Sequence, residues 1–173
     1  HRMSRAGPCR RRYLQGEGMR KIGLGMCWND LTVGEEFRTI GRTITEADLV
    51  NFINTTGMVE VLFTDVEYLK AHGPMNGRVV PGALVYCMAE GLLVQSMMQE
   101  TGLAFLHMEF NVKGPTFVGD TIHVECKVLQ ARPTSKGRGL VRTRNRIVTQ
   151  RNETVIEYTP LRMMAGRFDA SRT

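Results

Sequence analysis

Charge of one sign is what the body of this sequence lacks, despite a formal net charge of +6 over 173 residues. The first 21 residues hold seven basic side chains against Glu17 alone, which accounts for the whole excess; the remaining 152 carry 16 basic and 16 acidic groups. A balanced body offers no global field to a polyanion, so no nucleic-acid partner is expected. Aromatic residues are few and dispersed, which removes a base-stacking platform. No run of about 20 apolar residues is present, so no membrane span is expected either. Cysteine is sparse: Cys9, Cys27, Cys87 and Cys126 lie far apart, with no CxxC and no His at ligand spacing. Thiols in a reducing cytoplasm fit that pattern better than disulfides or zinc, so a cytoplasmic location without metal or cofactor is the expectation. Internal repeats and low-complexity runs are also missing. A chain of this length has a prior of one domain with a sizeable core.

The basic leader, residues 1–26, is the one segment with a charge signature. Arg10-Arg11-Arg12 resembles a twin-arginine export motif, but no apolar stretch follows it. Gly7, Pro8, Gly16 and Gly18 spoil a transit-peptide helix. The leader is expected to be disordered and dispensable up to residue 18. Met19 or Met26 is a candidate natural start, with organised sequence from Cys27-Trp28 and a short tail at 166–173.

The body is organised around the stretch 57–93. It reads as an irregular loop, a short helix, a Gly/Pro turn and a long apolar helix over 81–100. Pro81 suits a first helical turn. Leu84, Cys87, Met88, Gly91, Leu92, Gln95 and Met98 then recur at helical spacing. Ala83, Val85, Tyr86, Leu93 and Val94 leave almost no polar face, so the helix is expected to be buried all round. Thr101-Gly102 is its stop signal. Upstream, Arg38–Ile44 can be a strand. Thr45 with Asp48 forms a capping-box start for a helix that Gly57 ends. Val66–Ala71 is a plausible one-turn helix, with Asp65 a candidate cap.

Strand patterns fill the rest. Residues 105–113, 121–131, 140–150 and 154–164 alternate with period two and are separated by short turns. Pro160 argues for an edge or a bulge in the last. A buried helix followed by antiparallel strands is an α+β packing.

The order WNDLTVGEEF, RTITEADLVNF, TGMVEVLFTDVEYL, GRVVPGALVYCMAEGL and GPTFVGDTIHVECKV resembles the MaoC-like dehydratase, or (R)-specific enoyl-CoA hydratase, family over residues 28–164. The resemblance implies a hotdog fold, one domain over 27–165 in which an antiparallel sheet wraps the long helix. It also implies homodimers or larger homo-oligomers with sheets joined side by side. The implied ligand is an acyl-CoA thioester held in a tunnel near the dimer interface, and the implied chemistry is reversible hydration of an enoyl thioester.

The family's catalytic segment reads TGDxNPxHxD. Laid against it without gaps, Thr56-Gly57 and Thr64-Asp65 match, while the Asp position holds Met58 and the His position Phe63. Hydration needs one group to take a proton from water and one to protonate the α-carbon, and neither Met nor Phe transfers protons. Glu60 is the first candidate substitute, because two residues along an extended segment return to the same side. A solvated loop acid, or a salt bridge to Arg78, explains it equally well. His72 is a weaker candidate that also reads as a surface turn residue; His107 and His123 lie on later strands. Gly82 is expected to offer its N–H to a thioester carbonyl, although simple turn chemistry also accounts for it. Ala83, Val61, Phe63 and Arg78 complete the expected substrate contacts. The alternative function is a non-catalytic acyl-CoA-binding protein, or the partner subunit of a catalytic hydratase.

Overall fold

The computed structural model describes residues 22–73 and 77–167. Most of the leader, with Cys9 and Met19, and the tail beyond Arg167 lie outside the described residues. Two short strands, β1 (Glu36–Arg38) and β2 (Arg42–Thr43), precede helices α1 (Glu46–Thr56), α2 (Val61–Thr64), α3 (Val66–His72) and α4 (Gly82–Leu93). Four long strands follow: β3 (Gly102–Val112), β4 (Thr121–Pro133), β5 (Gly139–Thr149) and β6 (Thr154–Met164). They make one antiparallel sheet in the order β1-β4-β5-β6-β3, with β2 on β4. The sheet wraps α4, which is the α+β hotdog architecture.

The core sits between α4 and the inner face of the sheet. Leu84, Val85, Met88, Ala89, Leu92 and Leu93 of α4 meet Ile122, Val124, Val128, Val141, Ile147, Ile156 and Tyr158, all buried. Period-two alternation in β4 and β5 supplies that face, and burying each large side chain contributes roughly 1.5–3 kcal/mol. Leu49 and Ile53 bring α1 onto the same cluster. The expected capping box is present at α1: Asp48 N donates to Thr45 Oγ1 and Thr45 N donates to Asp48 Oδ2. Gly57 ends the helix at φ 73°, a left-handed conformation that glycine adopts without a Cβ penalty.

Four expectations need correction. First, α4 is not buried all round: Ala83, Cys87 and Val94 are exposed, because the sheet covers only one side of it. Second, the helix does not run regularly to residue 100. It passes into a π-helical turn at Val94–Met98, and Glu100 takes φ 61° before the chain enters β3. Third, β6 is an inner strand between β5 and β3. Pro160 fits there because its ladder with β5 lapses between the Arg142–Leu161 and Asn145–Tyr158 pairs, where a missing N–H costs nothing. Fourth, Cys87 and Cys126 are free thiols but Cys27 is disulfide-bonded, since distance along the chain does not fix which Cβ atoms meet in the fold.

Contacts also begin upstream of Cys27. Gly25 N and Met26 N donate to the carbonyls of Gln99 and Met97, pinning the incoming chain to the end of the central helix. A Cβ at Gly25 would lie 2.5 Å from Met97 O, so only glycine allows that approach.

Candidate active site

The segment between α1 and α4 is built by two acidic caps in succession. Glu60 Oε2 accepts from Leu62 N at 3.0 Å and starts the single turn of α2. Asp65 Oδ1 accepts from Glu67 N and Tyr68 N at 3.0 and 2.9 Å and starts α3, as the sequence led us to expect. Arg78 clamps this segment to α1. Its Nη1 donates to Phe63 O at 2.5 Å, while Nε and Nη2 hold the Glu46 carboxylate at 2.7–3.2 Å. Those hydrogen bonds keep the Glu46 carboxyl below its ordinary range. Arg78 therefore pairs with Glu46, not with Glu60.

Met58 and Val61 are exposed, whereas the Phe63 ring packs against the core cluster. His72 lies exposed at the end of α3, its ring stacked on Tyr68 at 5.0 Å. No hydrogen bond or ion pair joins Glu60 to His72; each is engaged with its own neighbours. Among the described residues, no three His, Cys, Asp or Glu side chains are grouped to hold a metal ion.

Across from this segment, Pro81 and Gly82 open α4. Val80 N donates to Thr116 O and Val79 bridges Phe117, so the helix start is fixed to the β3–β4 connection. Gly82 and Ala83 are first-turn residues, whose N–H groups have no acceptor within a helix. Gly82 does not have a left-handed φ, and a Cβ there would meet only Val112 Cγ2 at an ordinary 3.8 Å. Neither backbone conformation nor crowding requires a glycine here. The position supplies open space above two N–H groups at the positive end of the helix dipole.

A second polar group is Glu90, whose one signal in the sequence is that it is a lone acid in an otherwise uncharged helix. Its Oε1 accepts from Tyr158 Oη at 2.7 Å, and Arg162 Nη2 donates to both oxygens at 2.7 and 2.8 Å. Tyr86 packs edge-on against both Tyr158 and Phe110 beside this pair, and Arg162 covers the Phe105 ring. Burial, with Glu90 beside it, pushes the Tyr158 hydroxyl far up, so it stays a neutral donor. Burial and then Glu90 also raise the Cys87 thiol, the reverse of what activates a cysteine nucleophile.

A family model described as FAS1-like, dehydratase domain region matches residues 31–158. The chain belongs to that family. No curated protein matches it. Solved structures place the FAS1-like dehydratase region among MaoC-like hotdog proteins. It superposes on a MaoC-like dehydratase from Rhodospirillum rubrum with TM-score 0.71 at 25% identity, over 82% of this chain and 98% of that one. A MaoC domain protein dehydratase from Chloroflexus aurantiacus gives 0.78 at 24% identity over 86% of this chain, which spans 43% of that protein. An (R)-hydratase from Pseudomonas aeruginosa gives 0.69 at 22% identity, over 82% and 87%. The family match spans α1, the capped segment and α4, the elements that position Met58, Phe63 and Gly82.

Proposed function

We propose that the protein binds an enoyl- or 3-hydroxyacyl-CoA thioester at the start of α4 and hydrates it weakly or with altered substrate preference. The observation that carries this reading is Gly82: an unforced glycine above two unsatisfied N–H groups, in a chain of the dehydratase family. Donors aimed there can stabilise the negative charge that develops on a thioester oxygen when water adds to C3 of the enoyl group. The oxygen of water bonds to C3 as the C2–C3 π pair moves onto the thioester enolate, one proton of that water goes to the base, and the protonated base returns it to C2. An acid–base group contributes about 10²–10⁴-fold, and both usual positions hold groups that cannot serve. Glu60 is the substitute base. To act, it must leave its cap bond to Leu62 N, which costs about 1 kcal/mol.

The long exposed edge of β3 supports a homodimer. Leu103, Phe105, Leu106, Phe110 and Val112 are exposed on an edge strand of 11 residues. An apolar edge of that length calls for a partner strand, and a second copy supplies one.

A second reading, an acyl-thioester-binding or partner subunit without chemistry of its own, is favoured by one observation. Every acid near the capped segment is already engaged: Glu46 by Arg78, Glu60 by Leu62 N, Asp65 by α3 and Glu67 by Lys70. Crotonyl-CoA hydration by the wild type, Glu60→Gln and His72→Ala, with CoA-ester binding measured in parallel, separates the two. Slow turnover that Glu60→Gln abolishes supports the enzyme. Binding without turnover on any acyl-CoA favours the second reading. Full turnover indifferent to both substitutions sinks the assignment of Glu60. Met58→Asp with Phe63→His should raise activity if the thioester lies in register with these positions.

A further inference from the structure

The outer face of the sheet carries a cavity of about 330 Å³ whose lining includes none of the residues placed at the start of α4. It is walled by Glu36, Arg38, Glu125, Lys127, Arg144 and Arg146 of β1, β4 and β5. Alternation places them there: Val124, Cys126 and Val128 of β4 and Thr143, Asn145 and Ile147 of β5 are buried, so the intervening side chains point outward. Strand register sets the six in two rows. Glu36, Lys127 and Arg144 lie opposite one another in the first, and Arg38, Glu125 and Arg146 in the second.

The rows do not neutralise. Lys127 Nζ holds Glu36 at 2.9 Å and Arg146 Nη1 holds Glu125 at 3.3 Å, where His123 Nε2 also approaches to 3.6 Å. Both acids are thereby engaged. Arg38 and Arg144 make no hydrogen bond or close ion pair with any described residue, although the Arg144 charge also acts on Glu36, after Lys127, in holding its carboxyl below the ordinary range. The next acid in the ladder, Glu157, is in register with Arg146 rather than Arg144. Arg144 stands directly opposite Lys127, and like charges opposed across an antiparallel pair destabilise it. A surface that served only for solvation would be more stable with an acid at 144.

We propose that this cavity binds a phosphate-bearing small ligand, with Arg38 and Arg144 as its two cationic arms. Guanidinium forks match phosphate oxygens two at a time, and Arg serves this geometry where Lys acts as a point charge. The lining carries four positive and two negative side chains; that excess of positive charge fits a diphosphate group, and the volume falls at the small end of ligand sites. The diphosphate could belong to the nucleotide part of a CoA ester or to a separate phosphorylated metabolite. The pyrophosphate site stands apart from the reading of the α4 start; only its assignment to CoA rests on that reading.

The test is calorimetric titration of the full chain with inorganic pyrophosphate, comparing wild type, Arg38→Gln and Arg144→Gln. Arg42→Gln, which lies outside the cavity, is the control. Binding by the wild type and the control, weakened ten-fold or more by either cavity substitution and by added salt, supports the site. Arg144→Gln should leave the melting temperature of the unliganded protein near that of the wild type, since it relieves Lys127 while giving up the attraction to Glu36. Repeating the titration with ADP and with CoA identifies the source. Loss of CoA affinity in the two variants assigns the diphosphate to the thioester's own nucleotide. Loss for ADP and pyrophosphate alone assigns it to a separate metabolite. No pyrophosphate binding, or binding indifferent to both arginines, overturns the proposal. So does a lowered melting temperature in Arg144→Gln with pyrophosphate binding unchanged.

Discussion

Replacing Arg162 by Leu should destabilise this protein more than any surface charge change, because it strands Glu90. The two side chains retain only 11% and 16% of their surface, and Arg162 supplies two of the three hydrogen bonds that Glu90 receives. Breaking a fully buried pair from one side costs about 3–5 kcal/mol. Here Tyr158 still donates to Oε1, and some water reaches the carboxylate, so about 2–3 kcal/mol is expected. For a chain of this size each kcal/mol moves the melting midpoint by about 2–4 °C, which puts the fall at about 4–12 °C. Glu90→Leu combined with Arg162→Leu should recover part of that, because hydrophobic replacement of a buried pair is often near neutral. Recovery stays incomplete, since the Tyr158 hydroxyl is left without its acceptor. Urea unfolding at fixed protein concentration, with m-values checked for constancy, measures all three proteins. A single variant within about 0.5 kcal/mol of wild type, or a double variant no better than the single, would refute the stranding argument.

Gly82→Ala should leave stability unchanged or slightly higher, since the added Cβ meets nothing closer than 3.8 Å, while weakening CoA-ester binding; equal binding would remove Gly82 from the site. Arg78→Met should speed amide exchange across residues 58–65 with little change in global stability, and unaltered exchange would mean that the clamp to Phe63 O holds nothing. Thr45→Ala should cost about 1 kcal/mol through loss of the α1 cap, read from the urea midpoint. Burial raises the Asp120 carboxyl, but hydrogen bonds from Arg151, Gln150 and Phe117 N outweigh it and leave the group below its ordinary range. Its contribution is therefore present above the ordinary carboxylate range and lost as pH falls through the lowered value; Asp120→Asn should flatten that part of the stability–pH curve, and an unchanged acid limb would contradict the assignment.

Local rules carried most of the fold. Thr45 with Asp48, Gly57, the cap at Asp65 and the alternating strands β4, β5 and β6 each rest on residues within a few positions of one another and stand close to where they were expected; the strand expected over Arg38–Ile44 is instead two, Glu36–Arg38 and Arg42–Thr43, and β3 starts at Gly102 and is exposed along nearly its whole length. The departures involve distant partners. Arg78 takes Glu46, 32 positions upstream, and Glu90 takes Arg162, 72 positions away; no spacing rule reports such pairs. Glu60 was legible as an acid near Met58 but not as a cap, because α2 is one turn long and leaves no periodic signal. The exposed side of α4 was hidden by composition: Ala83, Cys87 and Val94 are apolar whether or not anything covers them.

The anchorage of the α4 start has a consequence for motion. Val80 is hydrogen-bonded to Thr116, Val79 bridges Phe117, and the Val112 side chain, on the last residue of the edge strand, faces the space beside Gly82. Helix start, connector and strand end thus form one cooperative unit that opens together or not at all. A molecule seated on the first turn of α4 would damp the fraying of β3, and a chain pairing with β3 would stiffen the first turn in return, since coupling between two sites is reciprocal. Slower exchange at residues 110–117 on adding a CoA ester would be the visible sign of that exchange of rigidity.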